Sequence, residues 1–242
     1  MAKYYPRLIE PVLKAAAKQF RVLVLTGARQ TGKSTLLQNL FKKTHRYVSL
    51  DNLADLKLAK EDPTAFFEEN PPPLILDEIQ YAPELLALVK KRVDAKQKTG
   101  EFIITGSQQF TMMKNLQETL AGRAVLFQLH PMALTEGPVR SQNYEARILT
   151  GSYPELLTRV GMNPDPWYSS YLSTYIDRDV QPHYRLEKAS HFRDFIFLLA
   201  SRTGQTLNYQ SLAHDLGVSL SAVRFWVKIL ETSHIIYLLK PF

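Results

Sequence analysis

Short apolar runs alternate with amphipathic stretches through the first half of the chain. Val22-Leu23-Val24-Leu25, Arg46-Tyr47-Val48-Ser49-Leu50, Leu74-Ile75-Leu76, Glu101 to Thr105 and Ala124 to Leu129 each read as a strand. Their near-continuous apolar character suits strands covered on both faces. Between them the spacing turns helical. Arg7 to Glu10 with Val12, Leu13 and Ala17 predict a helix before the first strand, and Leu36, Leu37 and Leu40 predict one after it. Asp62-Pro63 is a capping acid followed by proline at the first helical position, and Pro71-Pro72-Pro73 ends that helix. Pro83 opens another helix, with Leu85, Leu88, Val89 and Val93 on one face. Gly122 reads as a helix stop. Alternation of this kind to Gly137 predicts an α/β domain with a three-layer parallel sheet over residues 1–137.

From Pro138 the pattern is helical throughout. Gly151-Ser152-Tyr153-Pro154 and Asn163-Pro164-Asp165-Pro166 punctuate it as turns. Trp167, Tyr168, Tyr171, Leu172, Tyr175 and Ile176 form an apolar stripe that reads as core. Residues 138–187 are expected to be a helical lid and linker over a ligand cleft. Beyond them, residues 208–231 read as two helices around Gly217, the second capped by Ser219. Leu212, Leu216 and Val218 are spaced to face Val223, Val227 and Leu230. Ile235 to Leu239 is expected to be the first strand of a wing, making residues 188–242 a winged helix-turn-helix.

Composition narrows the classes. With no cysteine among 242 residues, disulfides and thiolate metal sites are excluded. No apolar run reaches the ~18 residues of a membrane span, and Met1 to Pro6 lacks a signal-peptide core. A cytoplasmic protein with no membrane partner is therefore expected. The net charge of +7 invites a nucleic-acid partner. That excess lies mostly in the first half, however, and acids nearly balance bases beyond Gly151. The outward face of the second helix of the pair, Ser221, Arg224, Phe225 and Lys228, is where double-stranded DNA would be met. A helix pair used only for packing or oligomerisation is the alternative.

One segment carries the chemistry. Gly27-Ala28-Arg29-Gln30-Thr31-Gly32-Lys33-Ser34, followed by Thr35, joins the first strand to a helix. The pattern is G-x-x-x-x-G-K-[ST] in a strand–loop–helix setting. Its glycines let backbone approach a phosphate chain, while N–H groups and the helix N-terminus supply partial positive charge. Lys33 is the candidate for the β- and γ-phosphates, and Ser34 for Mg²⁺. Asp77 and Glu78 end the strand at Leu74. Asp77 is placed to hold Mg²⁺, and Glu78 to polarise an attacking water. Thr105 and Ser107, at the tip of the following strand, are candidates to sense the γ-phosphate. Ser107 has a second reading, as the cap of a helix starting near Gln108. Arg178, between Asp177 and Asp179, reaches either the γ-phosphate or only its acidic neighbours.

In combination these motifs resemble the prokaryotic AAA-type ATPases of largely uncharacterised role. The marks are Tyr5-Pro6-Arg7, Thr26 through Ser34, Leu76-Asp77-Glu78-Ile79-Gln80, Thr105-Gly106-Ser107, Leu120-Ala121-Gly122-Arg123 and Gly151-Ser152-Tyr153-Pro154-Glu155. The resemblance implies a P-loop NTPase sheet of the additional-strand type, order 5-1-4-3-2. It also implies ATP as the nucleotide, with a winged helix after the ATPase domain. Arg123 matches the family's Gly-Arg step and is the arginine-finger candidate, acting in a homo-oligomer if it works in trans. Its other reading is a strand-edge arginine paired with an acid. Family members usually continue past the winged helix, so a truncated or short member is expected here, with an apolar edge at Ile235–Leu239.

The expected activity is Mg-dependent ATP binding and hydrolysis coupled to engagement of DNA or protein. A nucleotide-gated DNA-binding regulator with little turnover and a P-loop small-molecule kinase are the alternatives.

Overall fold

Five parallel strands form one sheet in the order β2-β3-β4-β1-β5, which is the expected 5-1-4-3-2 read from the other edge. They are β1 (Val22–Thr26), β2 (Arg46–Ser49), β3 (Leu74–Asp77), β4 (Phe102–Thr105) and β5 (Ala124–Gln128). The computed structural model describes residues 3–106, 118–138, 143–181 and 189–240, without the side chains of 178, 179 and 189. Ser107 and the side chain of Arg178 therefore lie outside the described residues.

Side-chain alternation sorts the strands' residues into two cores. Val22, Val24, Leu74, Leu76, Phe102 and Ile104 pack on one face with Phe66, Phe67, Leu85, Leu86, Val89 and Val93. Those partners come from α4 (Pro63–Glu69) and α5 (Leu85–Lys96). Leu23, Leu25, Ile75 and Ile103 pack on the other face with Leu13, Ala16, Leu36, Leu37 and Phe41. These belong to α1 (Glu10–Ala17) and α2 (Lys33–Phe41). The three layers follow, with the interior strands β1, β3 and β4 wholly buried and β5 a half-covered edge. Asp62 accepts from Thr64 N and Ala65 N at the start of α4, as its pairing with Pro63 predicts. The preceding helix α3 (Leu53–Glu61) was not anticipated, because its pattern is weakly amphipathic. Asn52 caps it.

The chain divides into two compact units, residues 1–162 and 163–242. The division falls within the segment expected as a lid. Helices α6 (Tyr144–Thr150) and α7 (Pro154–Thr158) belong to the first unit. Helix α8 (Pro164–Thr174) and the π-helical turn Tyr175–Val180, which contains Arg178, belong to the second.

In the second unit, α9 (Ala189–Ser201), α10 (Tyr209–Leu216) and α11 (Leu220–Thr232) bury Phe192, Phe195, Leu212, Val223, Trp226, Val227 and Leu230. Gly217 takes a left-handed φ of 63° and ends α10, and Ser219 accepts from Ala222 N to start α11. The expected helix pair is present. The expected first wing strand is not: Ile235 to Leu239 has no strand conformation. A strand is stable only with a paired neighbour. Here Ile235 N and Ile236 N bond instead to the Leu230 carbonyl. Ile235, Ile236 and Leu238 then line a cavity of about 380 Å³ with Leu199 and Leu207.

Candidate functional site

The loop between β1 and α2 is built on special backbone. Gly27 has φ 143°, Gln30 φ 59° and Gly32 φ 91°. A Cβ on Gly27 would lie 2.2 Å from the Leu129 carbonyl oxygen, so only glycine fits there. Thr31 is fully buried and its hydroxyl donates to Ala28 O at 2.9 Å, closing the turn. Lys33 opens α2 and is also buried. Its Nζ donates to the carbonyls of Gly27 at 3.0 Å and Ala28 at 2.9 Å. The ammonium is thus folded into the loop that it would share with a phosphate chain. Ser34 is half-buried beside it, whereas Gln30 and Thr35 are exposed and Arg29 is half-exposed.

Asp77 ends β3 and is 2% exposed. One of its oxygens accepts from Tyr47 OH at 2.5 Å, and the other from Glu78 N at 3.0 Å. Glu78 takes a left-handed conformation, φ 58° and ψ 44°, which is strained for a residue with a Cβ. Burial raises its pKa above the ordinary carboxylate range. Asp77 pushes the same way, while the Gln80 hydrogen bond and the charge of Lys33 push back. Lys33, Asp77 and Glu78 therefore share one electrostatic neighbourhood. Thr105 ends β4, the strand between β1 and β3. It is fully buried, and its hydroxyl has no hydrogen-bond partner among the described residues. A buried hydroxyl at this strand tip is free to donate to an added oxygen.

A buried ion pair supports the loop from behind. Arg7 Nε donates to Glu136 at 2.8 Å, and both side chains are 6% exposed. The same guanidinium donates to Thr31 O at 2.9 Å and His130 O at 2.7 Å. Glu136 also accepts from Leu8 N at 2.6 Å and Ala133 N at 2.8 Å. Arg147 on α6 is buried too, donating to the carbonyls of Met132, Ala133 and Glu136 and to Ser152 Oγ. Burial lowers its pKa, against the charge of Glu136. A Cβ added at Gly32 would meet Pro154 Cγ at 3.8 Å and Arg7 Nη1 at 4.0 Å, so this assembly borders the loop. Sequence reasoning missed Glu136, Arg147 and Tyr47. For Arg7 and the Gly151–Glu155 segment the sequence predicts a helix, a turn and family marks, but no role in supporting the loop.

Arg123 stands away from the loop of its own chain. It precedes β5, and its carbonyl accepts from Val22 N at the start of β1. The loop follows the other end of β1, roughly 16 Å along the strand. Its guanidinium instead pairs with Asp94 at 2.5 and 2.9 Å, which lowers the pKa of Asp94. The strand-edge ion pair is the reading that the geometry bears out. On α11, Ser221, Arg224, Phe225 and Lys228 are all exposed on one face. Arg224 lies over the Tyr209 ring at 5.9 Å, and Lys228 pairs with Glu231 at 3.2 Å.

Residues 19–137 match the family described as AAA domain. The matched segment contains the loop, both carboxylates and Thr105, and its sheet has the order 5-1-4-3-2 that the resemblance implies. Residues 141–242 match a family described as a domain of unknown function. Uncharacterized proteins of Mycobacterium tuberculosis and Mycobacterium bovis are each 28% identical over 238 residues, covering 95% of this chain and 52% of theirs. The chain spans about half the length of these relatives. A Walker-type ATPase of Pyrococcus abyssi superposes with a TM-score of 0.61 at 16% identity, over 95% of this chain and 90% of that one. This likeness shows the fold alone. Among the described residues, no helix is long and apolar enough to cross a membrane.

Proposed function

We propose that the segment matching the AAA domain binds ATP with Mg²⁺ and hydrolyses it. One observation carries the reading. The left-handed glycine loop with buried Lys33, the Asp77–Glu78 pair and the buried Thr105 hydroxyl all end at the same edge of the sheet, on β1, β3 and β4. Lys33 and the loop amides of residues 27–34 hold the phosphates, and Ser34 and Asp77 hold the metal. Bound Mg²⁺ supplies charge neutralisation across the phosphates. Glu78 orients the water and accepts its proton, a role suited to a carboxylate with a raised pKa. Thr105 donates to the terminal phosphate or the water.

The test is Glu78→Gln. Phosphate release should fall by about 10²–10⁴-fold, the usual worth of a general base, with ATP affinity kept. Undiminished release would remove Glu78 from the chemistry. Slow release in the unsubstituted protein itself would favour the gated-regulator reading. Release that rises only with an added acceptor alcohol would favour the kinase.

Coupling to DNA rests on the α11 face of Ser221, Arg224, Phe225 and Lys228, exposed at helical spacing. Arg224→Ala and Lys228→Ala should weaken duplex binding and flatten its salt slope by about one unit each. Binding that ignores both changes at low salt would remove the DNA reading. A finger role for Arg123 requires a second copy of the chain and release of Asp94.

A further inference from the structure

Tyr47 lies on β2 opposite Ile75, two residues before Asp77 on the neighbouring strand. Both side chains point to the α2 face of the sheet. The Tyr47 hydroxyl donates to one Asp77 oxygen at 2.5 Å, while Glu78 N donates to the other at 3.0 Å. Each carboxylate oxygen keeps a lone pair, and the plane of the group is fixed at two points. A phenol, with an ordinary pKa of about 10, is a proton donor at neutral pH. Ser34 and Gln38 on α2 also act on the same hydroxyl. Ser34, Gln38 and Tyr47 line one groove of about 490 Å³. Tyr47 therefore stands between the hydroxyl and the carboxylate assigned to the metal.

We propose that Tyr47 is a positioning residue for the magnesium site, its hydroxyl holding the Asp77 carboxylate in the orientation that meets the cation beside Ser34. The proposal rests on the nucleotide reading above. Its physical basis is that a metal-binding carboxylate performs best when its other lone pairs are engaged. Loss of such an outer partner usually weakens metal binding by about 10–100-fold. A carboxylate this deeply buried has no water to replace a lost donor. The phenol ring is placed by packing with Ile75 and the α1–α2 core, so the hydroxyl is held by the fold.

Binding of a nonhydrolysable ATP analogue, measured by calorimetry in EDTA and then in Mg²⁺, reads the metal's contribution without turnover. Tyr47→Phe keeps the ring and removes the hydroxyl. It should leave the affinity in EDTA unchanged and reduce the gain from Mg²⁺ by about 10–100-fold. Tyr47→Met, which also lacks the hydroxyl, should show the same loss, and melting curves report whether either variant is folded. Asp77→Ala should abolish the gain. If Asp77→Ala keeps the gain, the nucleotide-site reading fails. If Asp77→Ala loses it and both Tyr47 variants keep it, the Tyr47 proposal alone is overturned.

Discussion

Replacing Arg7 with alanine should both destabilise the first unit and loosen the phosphate loop. Arg7 and Glu136 are each 6% exposed, so their pairing is not screened as a surface ion pair is. Removing one partner of a buried pair costs about 3–5 kcal/mol, because the other charge is left without compensation. Two features set the value within that range. Glu136 keeps the N–H groups of Leu8 and Ala133, which moderates the loss. The carbonyls of Thr31 and His130 lose their shared donor, which adds to it. The expected loss is about 3 kcal/mol. With a urea dependence of about 2 kcal/mol per molar, the midpoint should fall by roughly 1.5 M. Urea denaturation followed by circular dichroism measures it. Arg7→Met combined with Glu136→Gln removes both charges and should recover much of the loss. A cost below about 1 kcal/mol, the worth of a surface pair, would refute the reasoning. So would a double variant whose loss is the sum of the two single ones.

Three further outcomes follow from the same geometry. Gly27→Ala should abolish nucleotide binding, because the new Cβ meets the Leu129 carbonyl oxygen at 2.2 Å; calorimetry with retained heat would contradict this. Glu78 binds its proton more tightly in the folded state than in the unfolded one. Its stability contribution is thus present at low pH and is lost as pH rises through the folded value. Glu78→Gln should accordingly melt higher than the parent at neutral pH, with the gap closing as pH falls below the ordinary carboxylate value of about 4.3; a lower melting point at neutral pH would contradict this. His45, whose ring bonds to Gly100 O at 2.8 Å, has its pKa lowered by burial. Its contribution is full above the ordinary value of 6.5 and lost as pH falls toward the folded one. His45→Gln should flatten the fall in melting temperature between neutral and mildly acid pH, and an unchanged slope would count against it.

The parallel sheet was legible because strands covered on both faces must be apolar along their whole length, as Leu74 to Leu76 and Phe102 to Ile104 are. The loop was legible because its glycines and lysine are dictated locally. Long-range pairings were not. Nothing in spacing joins Arg7 to Glu136, 129 residues apart, or Arg123 to Asp94 rather than to a phosphate. Tyr47 read only as a strand residue, since its hydroxyl finds Asp77 through the register of β2 on β3. The wing failed for a related reason. Ile235 to Leu239 has strand composition, but a ladder also needs a neighbour, and the Leu230 carbonyl takes up the amides of Ile235 and Ile236. Helix α3 escaped notice because only Ala59 is buried, although Asn52 before it was a readable cap.

Manganese scatters X-rays anomalously and can replace magnesium, so crystals grown with Mn²⁺ and a nonhydrolysable ATP analogue locate the metal directly. An anomalous peak within coordination distance of Ser34 Oγ and on the Asp77 side of the phosphates, with Lys33 Nζ turned from the Gly27 and Ala28 carbonyls to phosphate oxygens, is the predicted result. Clear nucleotide density lying elsewhere on the molecule, with Lys33 still bonded to its own loop, would contradict it.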